Sequence, residues 1–129
     1  FGLNGWVAND LNGIHANKNW RSIHVKGSSE IPVFVDCQWV DGLPEVFDSP
    51  PTFDGDCAWQ FHGNAMRNFC INRHNGSVNG VFLDTSVRAI GLKELWQLHW
   101  HKQWAKDAAT YGMPVWPQWM KNFRDMANN

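Results

Sequence analysis

The sequence predicts an α+β fold: an antiparallel sheet of about four strands packed against a Trp-rich C-terminal helix. Three observations carry that expectation. Residues Pro32–Val40 alternate in the two-residue period of a strand, Asn75-Gly76 stands between two short apolar runs, and Trp96, Trp100 and Trp104 recur at helical spacing. A length of 129 residues fits a single domain spanning 1–129, and a hydrophobic share of 43% suffices for a core and argues against long disordered stretches.

Each element has its own local signal. Phe1–Asp10 is rich in Gly and Asn and reads as extended chain or loop, and residues 12–30 read as a polar surface connection pinned by Trp20 and Ile23. In Pro32–Val40 one face carries Val33, Val35, Cys37 and Trp39, and Pro32 suits a strand start, where its missing N–H costs nothing. Asp41–Asp56 reads as a loop from its DG, LP, SPP and DGD steps. Trp59 to Met66 predicts a short helix or an irregular segment.

Phe69–Asn72 and Val78–Leu83 are expected as the arms of a hairpin about Asn75-Gly76, because both turn residues tolerate positive φ. A second turn at Asp84–Ser86 leads to a strand at Ser86–Ile90, which completes a three-stranded meander. Gly91 breaks that strand, a helix is expected over Leu92–Ala108, and a short terminal helix over Gln118–Met126. The Trp96, Trp100 and Trp104 row reads as packing of this helix on the sheet, with a polymer contact or a sugar-stacking surface as the other readings.

The net charge of −1 gives no general reason to expect nucleic acid or an anionic membrane as partner. Residues 1–56 carry three basic and eight acidic side chains, whereas residues 57–129 carry eight basic and four acidic ones. Opposed halves can attract neighbouring copies head to tail; the plainer reading is that folding mixes them on one surface. No apolar run is long enough to span a membrane and no signal-peptide pattern is present. The start at Phe1 reads as a processed protein or a piece of a longer one.

Cys37, Cys57 and Cys70 contain no C-x-x-C pair and so do not form a zinc pattern. One pair could bridge in an oxidising compartment, Cys57–Cys70 being nearest in sequence; reduced, all three read as small buried residues. Six His are present, but no G-x-S-x-G, H-E-x-x-H, P-loop or G-x-G-x-x-G accompanies them, and no enzyme is expected. His99 and His101, two apart on the expected helix, point in different directions and cannot share a metal. Asp54-Gly55-Asp56 with Asp48 is the best candidate for a ligand, since carboxylates on a Gly-containing loop suit calcium; a solvated acidic loop is the alternative. Asn75-Gly76-Ser77 is a glycosylation sequon, of consequence only in a glycosylating source.

Arg73–Arg88, RHNGSVNGVFLDTSVR, resembles the H-x9-D-G segment of prepilin-like proteins, the type II secretion pseudopilin relatives found in planctomycetes and verrucomicrobia. His74 and Asp84 stand at the required separation, with Thr85 where the usual residue is Gly, and the resemblance runs from Phe69 to Asp125. It implies the globular head of a bacterial extracellular or cell-surface filament subunit, non-catalytic and self-associating. Members carry a long hydrophobic N-terminal helix, absent from this chain, through which alone a membrane would be met. Major pseudopilins often hold calcium on a loop near the sheet, which raises the interest of Asp48, Asp54 and Asp56. A second class of function, a secreted module that binds polysaccharide or another surface through exposed Trp, rests on the nine Trp alone.

Overall fold

Turn chemistry organises the centre of the molecule. Asn75 and Gly76 adopt φ of 53° and 89°, so the Asn-Gly turn forms as its residues dictate, closed by the His74 amide on the Ser77 carbonyl at 3.1 Å. Strand β4 (Ser77–Phe82) leaves this turn, reverses through Leu83–Ser86 and returns as β5 (Val87–Gly91). Alternation in β4 buries Val78, Gly80 and Phe82 and leaves the residues between them half-buried.

The computed structural model describes residues 1–7, 16–57 and 63–125. Three further strands complete one mixed sheet: β1 (Gly2–Asn4), β2 (Pro32–Val35) and β3 (Asp41–Gly42), in the spatial order β3-β1-β2-β4-β5. Only β1 and β3 run parallel; β1–β2, β2–β4 and β4–β5 are antiparallel. Among the described residues, two α-helices accompany the sheet, α1 (Met66–Phe69) and α2 (Trp104–Tyr111). The architecture is α+β, with five strands among the described residues where about four were expected.

Several boundaries differ from the sequence expectation. The strand at Pro32 stops at Val35: the Gln38 amide turns to the Asn68 carbonyl at 2.9 Å, and Trp39 comes out half-exposed instead of joining the apolar face. Phe69–Asn72 is not a hairpin arm, because Phe69 closes α1 and tight turns carry the chain to the Asn-Gly step; β2 and not this segment supplies the third antiparallel strand. Residues 8–15, 58–62 and 126–129 lie outside the described residues, and with them most of the Trp59–Met66 expectation. The terminal helix reduces to a single 3₁₀ turn, Gln118–Met120.

The largest departure is the Trp-rich stretch. Lys93–Gln97 forms a 3₁₀ turn, Leu98 then becomes extended (ψ 153°), and α2 starts only at Trp104. The break has a visible cause: the His99 amide pairs with the distant Glu30 carbonyl at 2.9 Å in place of a helical partner. Trp96, Trp100 and Trp104 are therefore no stripe on one helix. All three enter the core, with Trp6, Phe69, Val78, Phe82, Ile90, Leu92 and Leu95.

Loop carbonyls inside this core need donors, and indoles provide them. Trp6 donates to the Pro44 carbonyl at 2.7 Å, Trp96 to Asp48 at 3.0 Å, Trp100 to Leu95 at 2.8 Å, Trp104 to Trp96 at 3.0 Å and Trp119 to Pro51 at 2.7 Å. The Trp100 carbonyl receives both the Trp20 indole and the amide of buried Asn4, each at 3.0 Å. At the C-terminal side, buried Lys93 donates to the Phe123 carbonyl at 3.2 Å and pairs with Asp125 at 2.9 Å.

Candidate functional site

The residue pair at nine-residue separation spans one strand. Asp36, buried just after β2, accepts the Asn79 amide at 2.8 Å and faces the His74 imidazole Nε2 at 3.0 Å. His74 is itself exposed, in the turn that opens β4. Beyond the far end of β4, Asp84 accepts the Ser86 amide at 3.0 Å and the Ser86 hydroxyl at 2.5 Å. These two Ser86 bonds, hydroxyl first, hold the Asp84 carboxyl below the usual carboxylate range. One residue thus ties the start of β4 to β2, and the other fixes the β4–β5 hairpin.

Thr85 has φ of 70°, the left-handed region that a β-branched side chain adopts only at a cost. The position where this chain departs from the usual Gly of the resembled segment is therefore one whose backbone favours Gly.

The acidic loop does not gather the three carboxylates expected to bind calcium. Asp48 is buried and accepts the Glu45 and Met66 amides at 3.0 and 3.1 Å; burial pushes its carboxyl up to about 6. Asp54 accepts the Asn72 amide at 3.0 Å. Asp56 accepts the amide and hydroxyl of Thr52, both at 2.9 Å, and pairs with Arg67 at 3.1 Å. Among the described residues, none of the three belongs to a group of three ligand side chains close enough to share an ion. Each carboxylate instead closes a piece of loop.

The structure brings together a different set. Buried His101 places Nε2 2.9 Å from Glu45 Oε2 and 3.7 Å from Asp107 Oδ2. Lys18 Nζ lies 2.8 Å from Glu45 Oε1 and 3.9 Å from Asp107 Oδ2. Burial alone would raise the Glu45 carboxyl, but the hydrogen bonds from His101 and Lys18 outweigh it and hold the group below its ordinary value. The ligand atoms of Glu45, His101 and Asp107 lie within 4.8 Å of one another, compact enough for a cation. The imidazole argues otherwise. Its Nδ1 accepts the Gln103 amide at 3.0 Å, which assigns the ring proton to Nε2, the atom a metal would need. With the Lys18 ammonium already beside both carboxylates, the set is an ion-pair network that clamps residues 18, 45, 101 and 107 together.

Sequence reasoning placed His99 and His101 on one helix; neither is helical, and His101 finds its partner 56 residues away. No local pattern marks that pairing. The Trp96, Trp100 and Trp104 row, read from the sequence as packing with a polymer or sugar contact as the alternatives, is buried and presents no surface to either. All three cysteines are free; burial raises the Cys37 thiol to about 11 and also raises Cys70, so these two are poor nucleophiles.

A cleft of about 440 Å³ lies between Glu30, Arg88, Glu94, His99, Trp104 and Met113. Its charges are spent on one another: Arg88 pairs with Glu94 at 2.7 Å and Glu30 at 3.5 Å and lies over the Phe82 ring. No family model, no curated protein and no solved structure matches this chain.

Proposed function

We propose that the chain is a non-catalytic structural domain, the pseudopilin-like head of a bacterial extracellular or cell-surface filament subunit. One observation carries the reading: His74 and Asp84 act on the frame of the sheet. The first is paired with buried Asp36 at the start of β4, and the second closes the β4–β5 turn. Such a pair fits a segment kept to register one hairpin, which is what a packing unit of an assembly needs. The neighbouring polar groups support the same reading, since Asp48, Asp54, Asp56 and the Lys18–Glu45–His101–Asp107 set all fasten chain segments.

Immunogold labelling of native cells, with antibody raised against this domain, tests the proposal. Label running along surface filaments is the expected result. Label confined to the cytoplasm, or to cell surface free of filaments, would overturn it.

A further inference from the structure

Four exposed apolar side chains come together on a face that the filament reading does not use. Phe47 (55% exposed), Tyr111 (59%), Met113 (43%) and Val115 (92%) line one groove of about 380 Å³, with Pro50 and Pro114 in its walls. The Phe47 and Tyr111 rings meet edge to face, their centroids 5.2 Å apart, so the patch is continuous across two chain segments far apart in sequence.

We propose that this patch is the contact between two copies of the chain related by a twofold axis. Three properties argue for a second copy as the occupant. The first is size. The four exposures amount to roughly 400–500 Å² of apolar surface, using the usual dimensions of such side chains. A standard interface buries about 800 Å² per partner, somewhat over half of it apolar, so the patch supplies the apolar share of one such face.

The second property is charge. Among the described residues, the single ionisable carboxylate or ammonium in the groove wall is Asp48, and its side chain is buried. A twofold axis sets every group near its own copy, where like charges repel; a face without exposed charge escapes that cost. The third is rigidity. Asp48 takes the Glu45 and Met66 amides, its carbonyl takes the Trp96 indole, and Gly112 closes α2 on the Ala108 carbonyl at 2.9 Å, which fixes both walls before any partner arrives. The contact is isologous and closes on itself, so it stands whether or not the chain also builds a filament.

Sedimentation equilibrium over a wide concentration range, on the chain as it stands, tests this. The expected result is a reversible dimer at twice the mass of one chain. Val115→Asp and Phe47→Glu, each placing acidic charge on both sides of the axis, should weaken it at least about tenfold. Near-UV circular dichroism of the Trp residues should not change, since both side chains are mostly exposed. A wild type that stays monomeric throughout overturns the proposal, as does a dimer indifferent to both substitutions. A monomer whose fluorescence is quenched by added oligosaccharide would overturn it as well, and assign the patch to a sugar.

Discussion

Replacing Asp48 by Asn should remove a pH dependence from the stability of the whole fold. The carboxyl is 2% exposed, and burial, the largest influence on it, moves its pKa from 3.8 to about 6 against the pull of the Glu45 and Met66 amides. The folded chain therefore holds this proton more tightly than the unfolded chain. Well below pH 4 both states are protonated and the group costs nothing; between about 4 and 6 the unfolded carboxyl gives up its proton while the folded one keeps it, so stability falls, and above about 6 the loss levels off. A shift of about two units, at about 1.4 kcal/mol each, sets the loss near 3 kcal/mol.

Asn keeps an oxygen for the same two amides and carries no charge. Its NH₂ faces the Asn64 amide in exchange for a carboxylate oxygen, but that penalty is the same at every pH. Urea unfolding of both proteins, followed by Trp emission from pH 4 to 7, isolates the effect. The wild type minus the variant should fall by about 3 kcal/mol across that window. A difference that stays flat would refute the burial argument.

Thr85→Gly should raise stability by about 1 kcal/mol, because the strain at φ 70° outweighs the extra freedom Gly brings to the unfolded chain; a lower melting midpoint would count against it. Trp100→Phe keeps an aromatic ring but leaves the Leu95 carbonyl without its indole donor, so a loss of about 1–3 kcal/mol in chemical denaturation is expected. Millimolar calcium should leave the thermal midpoint unmoved, since Asp48, Asp54 and Asp56 are spent on separate backbone contacts; a clear upward shift would count against that reasoning.

What was legible in the sequence was what local chemistry decides. Asn75-Gly76 turned as its conformational freedom requires, Asp84 closed its turn, and Pro32 opened a strand. The helical reading of Trp96, Trp100 and Trp104 failed because a period near 3.6 also arises when core residues are delivered by a broken chain. The break at Leu98 is set by the partner of the next amide, Glu30, which no window along the sequence contains. The Glu45–His101 contact was hidden for the same reason. Asp48 was visible as acidic, but its burial depends on α1 and Trp96 closing over it.

The indole fasteners have a consequence for how the chain reaches this state. Trp6 to Pro44, Trp96 to Asp48, Trp119 to Pro51 and Trp20 to Trp100 join residues 38, 48, 68 and 80 apart in sequence. Each closes a large loop whose entropy is lost before the bond forms. With few residues in helix to reward early local order, folding belongs to the slow, milliseconds-to-seconds regime of chains dominated by distant contacts. A growing chain can close Trp6 on Pro44 early, but Trp20 and Asp48 cannot be fastened until Trp100 and Trp96 have emerged, so these parts of the N-terminal half wait on the C-terminal tryptophans.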